Sequence, residues 1–235
     1  EWRTGQGAMM RMYEQALPKA FEGSKYGHRL PIGTIEVIDN FPYQALRDYY
    51  EKWYRPDQQG IIVVGDIDVD KVEAKIKELF SPIKMPANAA ERKYEPVPDN
   101  KEPIVTIAKD KEQPTTMIYI WHKHPATPNE AKGNMGYLVQ NYLFSMIGSM
   151  LNARLEELRQ SANPPFIAAA AQEADFLLAK TTKAFAGLAI SKEDGIPTAI
   201  STLVREIERA RKFGFTASEY ARAKADYLRS LESAY

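Results

Sequence analysis

The sequence predicts an α+β fold, antiparallel sheets covered by helices, on three observations. Ile61-Ile62-Val63-Val64, an uninterrupted β-branched run between Gly60 and Gly65, reads as a strand buried on both faces, with one helix entering it and another leaving it. Four further runs, residues 104–108, 115–121, 166–173 and 181–190, have strand character. Helical periods follow those strands in blocks instead of alternating with them one for one, which favours α+β over a doubly wound sheet.

Taken in order, residues 8–21 place Met9, Tyr13, Ala16, Leu17, Ala20 and Phe21 on one helical face, and Gly23 ends that helix. Residues 26–38, broken by Pro31 and Gly33, read as irregular, and Pro42 stands at a first helical position. The next helix repeats Leu46, Tyr49, Tyr50 and Trp53 and cannot pass Pro56. Beyond the apolar strand, Asp68 is placed to accept from the first-turn amides of a helix with Val69, Val72, Ile76, Leu79 and Phe80 on one face. Residues 81–103, rich in proline and charge, read as an extended connection.

After the strands at 104–108 and 115–121, Thr127-Pro128-Asn129-Glu130 is a capping box opening a helix through Met135, Leu138, Val139, Tyr142, Leu143 and Met146. A second helix from about Ser149 turns Leu151, Leu155 and Leu158 inward, leaves Arg154, Glu156, Glu157 and Arg159 elsewhere, and stops before Asn163-Pro164-Pro165. In the strand at 181–190, Thr182, Ala184, Ala186, Leu188 and Ile190 share a side. Ile196, Ile200, Leu203, Val204 and Ile207 mark a helix reaching Phe213 and closed by Gly214. Thr216-Ala217-Ser218-Glu219 is a second capping box, for the last helix.

At 235 residues and 44% hydrophobic content the chain can bury a sizeable core. Lys plus Arg equals Asp plus Glu at 31 each, so net charge recommends neither a nucleic acid nor an anionic membrane. The absence of cysteine removes disulfides, thiolate nucleophiles and Cys-held zinc. No apolar run approaches the roughly 18 residues that span a bilayer. The first residue is Glu1 and not methionine, so the chain is expected to be a piece of a longer polypeptide.

Most candidate chemistry falls away on inspection. Gly5-x-Gly7 lacks the third glycine of a dinucleotide loop, and Asp66-x-Asp68-x-Asp70 has Lys71 and Lys77 where a calcium loop needs glycine and glutamate. His122-Lys123-His124 offers two imidazoles at a strand end without a third ligand, His28 stands alone, and no Gly-x-Ser-x-Gly elbow occurs. The Arg and Lys residues between 205 and 229 are interleaved with Glu206, Glu208, Glu219 and Asp226, as on a solvated helix face, so no nucleic-acid partner is expected.

Four passages carry a resemblance. Tyr54-x-Pro56-x-Gln58 through Ile61-Ile62-Val63-Val64-Gly65-Asp66, Leu30-Pro31-Ile32-Gly33, Leu151-Asn152-Ala153-Arg154-Leu155 with Leu158-Arg159, and residues 208–223 with Gly214, Glu219 and Ala223 are spread in order over nearly the whole chain. Together they resemble the pitrilysin/insulinase family of zinc metallopeptidases, the inverzincins with His-x-x-Glu-His. The resemblance implies paired α+β domains of the pitrilysin and mitochondrial-processing-peptidase kind. Residues 1–85 would be the closing half of a zinc-type domain, 86–102 a Pro-rich linker, and 103–235 a second, non-zinc domain.

No His-x-x-Glu-His occurs in this sequence, so the two histidine ligands and the general base would lie upstream, and the chain alone is expected to be inactive and without zinc. By the same resemblance Glu1 falls at the distal glutamate, a third zinc ligand. A terminal carboxylate with no metal role is the alternative reading. In the non-zinc domain the family places an Arg and, seven residues later, a Tyr against the substrate carbonyl. Arg159 matches the Arg, while Phe166 stands where the family has Tyr and brings no hydroxyl. Arg159 and Phe166 are thus the substrate-side candidates, Arg159 the catalytic one, and a helix-end arginine meeting solvent or a carboxylate is the competing reading. The implied function is part of a zinc metalloendopeptidase that encloses peptides, with the missing zinc-domain half and further domains of the same chain as partners. The alternative is a non-catalytic relative acting as a binding or assembly subunit. Bacterial relatives suggest a periplasmic address, which the residues themselves do not give.

Overall fold

A computed structural model describes residues 5–234, with the elements α1 (Ala8–Ala20), α2 (Ile35–Asn40), α3 (Tyr43–Trp53), α4 (Val69–Phe80), β1 (Thr116–Pro125), α5 (Met135–Arg159), β2 (Ala168–Asp175), β3 (Thr182–Ser191), α6 (Ile196–Phe213) and α7 (Ala217–Ala234). Helices and an antiparallel sheet are segregated along the chain as the α+β reading requires. Two compact units result. One joins the residues up to Leu30 with those from Tyr94 onward, and the other is Pro31–Lys93.

The first unit is organised on a sheet of order β1-β3-β2, in which both pairings are antiparallel. Central β3 alternates its side chains between two cores. On one face Leu151 and Leu155 of α5 and Ala199 and Leu203 of α6 enclose Phe166, Ala171 and Ala189, with Ile118 and Ile120 alongside. Burying each of the larger side chains contributes roughly 1.5–3 kcal/mol. On the other face Leu17 of α1 and Phe21, which caps that helix, cover Ala184, Trp121, Phe176 and Ala179, and the Phe21 ring meets Phe176 edge-on at 5.0 Å. Gly187 sets how closely α6 approaches, because a Cβ there would stand 3.0 Å from Ile207 Cδ1 and 3.3 Å from Leu203 Cδ2.

Several expectations shift by an identifiable cause. The two helices read at 127–146 and from Ser149 are one unbroken helix, α5, of 25 residues. Gly148 does not interrupt it; it faces the backbone of β2, where a Cβ would sit 3.5 Å from the Ala171 carbonyl oxygen. The Thr127–Glu130 box yields only a single tight turn at Asn129–Ala131, and Asn134 caps α5 instead, its side chain accepting from the Tyr137 N–H at 3.0 Å. The second box forms as read: Glu219 accepts from the Thr216 N–H at 2.7 Å and Thr216 Oγ1 accepts from the Glu219 N–H at 3.3 Å. Gly214, at φ +67°, ends α6 in a conformation that favours glycine.

Residues 104–108 join no ladder. Their C-terminal neighbours are held by α1: the Gln15 side-chain amide bonds both the N–H and the C=O of Lys109, at 3.3 and 3.4 Å. Arg11 adds an ion pair with Asp110 at 2.7 Å.

The second unit contains α2, α3 and α4, and α2 was not foreseen because Pro31 and Gly33 mark its approach as irregular. Asp68 caps α4 as read, accepting from the Lys71 N–H at 3.1 Å. Arg55 is the one buried residue of this unit. It donates to both Asp57 oxygens at 3.1 Å and to the Ala90 carbonyl at 2.8 Å. The strand read at 61–64 is overturned as a ladder element, for these residues pair with no other strand and their side chains are exposed.

Candidate functional site

Arg159 ends α5, and the helix decides which way it points. Leu151 and Leu155 anchor the helix in the core, Leu158 packs against its margin, and Arg159, one turn beyond Leu155 at the last position of the helix, extends past the core into solvent. Its side chain is 46% exposed. Nε donates to Glu156 Oε2 at 2.6 Å, Nη2 donates to Oε1, and Gln160 Nε2 also donates to Oε1, at 2.7 Å. The Arg159 guanidinium and the Gln160 amide hold the Glu156 carboxyl down at about 2. A carboxylate therefore occupies the guanidinium in this structure, and an oxygen developing negative charge would compete with it for the same donors.

Phe166 lies apart from Arg159 in environment. It is 1% exposed, packed with Leu151, Leu155, Ala171, Ala189, Ala199 and Leu203. Its ring fixes the chain that returns from α5 to β2, and Ile167 N–H donates to the Ile190 carbonyl at 2.8 Å to start the ladder. Of the two substrate-side candidates, Arg159 alone presents a group to solvent. Glu1 lies outside the described residues.

Arg154, read as one of several polar residues facing away from the core, is a buried clamp. Nε and Nη2 donate to the two Glu219 oxygens at 2.5 and 2.9 Å, Nη2 also reaches the Gly214 carbonyl at 3.1 Å, and the guanidinium stacks on Phe215 at 4.5 Å. The sequence signal that could have found it is Glu219 itself, whose capping role fixes an acid where α5 passes.

The imidazoles do not converge. His124 Nε2 pairs with Glu173 Oε1 at 2.8 Å, across β3, and its ring stacks on Phe144. Among the described residues no group of three or more His, Asp or Glu side chains could hold a metal ion. The outer edge of β1 opens into a cavity of about 1510 Å³, lined among others by Met9, Met12, Tyr13, Ile104, Tyr119 and Trp121. The outer edge of β2 is engaged at Ala171, whose N–H and C=O are both bonded by Asn152.

An antiparallel sheet covered by helices places the chain in the α+β class. The model of the peptidase M16 inactive domain matches residues 40–227, and the chain belongs to that family, as the pitrilysin/insulinase resemblance implied. A relative from Escherichia coli strain K12, the probable zinc protease PqqL, is 28% identical over 235 residues, which is all of this chain and 25% of the relative. The zinc protease PQQL-like protein of Arabidopsis thaliana is 29% identical over 77% of this chain and 18% of its own length. The crystal structure of the first half of the periplasmic protease PqqL from Escherichia coli superposes with a TM-score of 0.83 at 26% identity, covering 99% of this chain and 49% of that one. The chain thus spans about a quarter of the length of the E. coli relative.

Proposed function

We propose that this chain is part of a zinc-dependent metalloendopeptidase that encloses peptides, contributing a wall of the enclosure and a substrate-facing guanidinium, Arg159. The observation that carries the reading is the position of Arg159: anchored through α5, exposed, and held only by a surface carboxylate that a substrate oxygen can displace. The names of the full-length relatives, zinc proteases, support the same class. The zinc would be held by His-x-x-Glu-His elsewhere in the polypeptide, with Glu1 as its third protein ligand, and would supply an activated water. This chain's own part is to bind the peptide and to donate from Arg159 to its carbonyl oxygen as charge develops there. The open edge of β1 offers a line for an extended peptide.

In this reading residues 1–85 close a zinc-type domain, 86–102 connect, and 103–235 form the non-zinc domain. The compartment is periplasmic, as it is for the E. coli relative. Phe166 favours a second reading, a non-catalytic binding or assembly subunit, because its buried ring offers no hydroxyl beside Arg159. Two measurements separate them. The first reading expects His-x-x-Glu-His upstream of Glu1 in the encoding frame, and peptide cleavage by the whole polypeptide that a chelator abolishes and zinc restores. A frame without the motif, or a polypeptide inert with zinc, leaves the second.

A further inference from the structure

We propose that His124 and Glu173 form a proton-operated latch, which fastens the end of β1 to β2 across β3 while the imidazole carries both of its protons and loosens that end when one is lost.

The two strands are not neighbours. In register His124 stands opposite Lys183 of β3 and Glu173 stands opposite Phe185, so the pair spans the central strand. Both ring nitrogens of His124 meet acceptors: Nε2 lies 2.8 Å from Glu173 Oε1, and Nδ1 lies 3.1 Å from the Pro125 carbonyl oxygen. A neutral imidazole has one N–H and forfeits one of these bonds, whereas an imidazolium makes both. The arrangement therefore calls for one proton more than a neutral ring and a carboxylate supply. Glu173 adds to the demand, for its side chain is 10% exposed and its buried Oε2 accepts from no group among the described residues. A carboxylate so placed is best satisfied by a charged donor at its other oxygen.

The charges around the ring are few. On this face β3 presents Lys183, which Asp175 of β2 meets at 3.5 Å. From β1, His122 acts on Glu208 of α6, whose carboxyl is held below its ordinary range first by Arg211 and least by His122. α5 lays the Phe144 ring against the imidazole and has no ionised side chain from Met135 to Ala153, where Tyr137 and Tyr142 are its titratable groups. Lys183 opposes a charge on the ring and Glu173 favours it, and of the two Glu173 is in hydrogen-bond contact. Histidine is the side chain whose ordinary titration falls between about pH 5 and pH 8. The fastening is thus present where the ring is protonated and Glu173 ionised, and it is lost as pH rises through the ring's titration. Its release acts where the chain leaves the sheet for α5: Ala126, the residue after Pro125, donates its N–H to the Thr181 carbonyl at 3.0 Å.

The test is hydrogen exchange on the full-length polypeptide, read by mass spectrometry over residues 122–126 at about pH 5.5 and about pH 8, on either side of an ordinary imidazole titration, and corrected for the intrinsic pH dependence of exchange. Protection is expected to fall about tenfold between the two, the weight of one hydrogen bond to a charged group. The fall should vanish in His124→Gln, shrink in Glu173→Gln and stay whole in His122→Gln. Equal protection at both pH values in the unaltered polypeptide overturns the proposal. A full fall in His124→Gln, or its loss in His122→Gln, overturns it by assigning the proton to another group. If His124→Gln does not fold, Glu173→Gln decides, and an undiminished fall there overturns the latch.

Discussion

Asn152 of α5 makes with Ala171 of β2 the two hydrogen bonds that a neighbouring strand would make: Nδ2 donates to the carbonyl at 3.0 Å and Oδ1 accepts from the N–H at 2.7 Å. A helix side chain thereby closes the sheet's edge at a residue that is 1% exposed. Gly148, one turn earlier, lets α5 lie close enough for the amide to reach.

Asn152→Leu keeps the side chain's approximate size and removes both bonds. Each buried backbone group left unpaired costs about 1–3 kcal/mol, so a clear fall in the urea midpoint is expected. Asn152→Asp, which retains only an acceptor, should fall between the two. An unchanged midpoint for the leucine variant would mean that water replaces the amide.

Gly187→Val tests the contact between β3 and α6. The added methyls meet Leu203 and Ile207 where a bare Cβ is already at 3.0–3.3 Å, and overpacking of this kind costs about 1–3 kcal/mol. Gly187→Ala should cost less, because the atoms it meets belong to the flexible side chains of Ile207 and Leu203. A valine variant as stable as the parent would show that α6 shifts freely on the sheet.

What the sequence disclosed follows from where the determining forces are local. The Thr216–Glu219 box, the Asp68 cap and the Gly214 stop depend on atoms three or four residues apart, and all three form. Thr182, Ala184 and Ala186 alternate as β3 requires, being packed between two layers. The failures have distant causes. The periods at 127–146 and from Ser149 read as two helices, but β2, twenty-odd residues on, packs against one unbroken α5 at Gly148, and residues 104–108 join no ladder, their neighbour Lys109 being held by Gln15 of α1. Residues 61–64 carry a strand's pattern without any strand to pair with. At the site, the placement of Arg159 outside the core was legible from its position at the end of the helix shortly before Asn163-Pro164-Pro165, whereas burial of Phe166 and the Arg154 clamp required the packed fold.

The Arg154–Glu219 pair predicts an acid limb in stability. Arg154 first, and then the Thr216 N–H and hydroxyl, lower the Glu219 carboxyl from 4.5 to about 2. The charged form is thus favoured in the folded state, and its stabilisation is complete above the ordinary value and lost as pH falls from about 4.5 to about 2. Melting temperature measured across that window should drop more steeply for the parent than for Glu219→Gln. Parallel curves would remove Glu219 from the cause. At neutral pH, Glu219→Ala leaves Arg154 buried without its acid, at a cost of roughly 3–5 kcal/mol.

Arg159→Ala separates chemistry from structure in the full-length polypeptide. The side chain is exposed and pairs with Glu156 of the same helix, so the melting temperature should not move. If the guanidinium meets an oxyanion, kcat should fall by about 10²–10³ with KM little changed, as when one such donor is lost. Glu156→Ala removes the carboxylate that competes for Arg159 and should leave kcat equal or higher, whereas a purely structural pair predicts that both substitutions behave alike. Arg159→Lys keeps the charge and loses the planar fork, so a partial recovery of kcat identifies charge, and none identifies two-pronged donation. Full activity in Arg159→Ala would return this residue to the surface of α5 and leave the oxyanion to other donors.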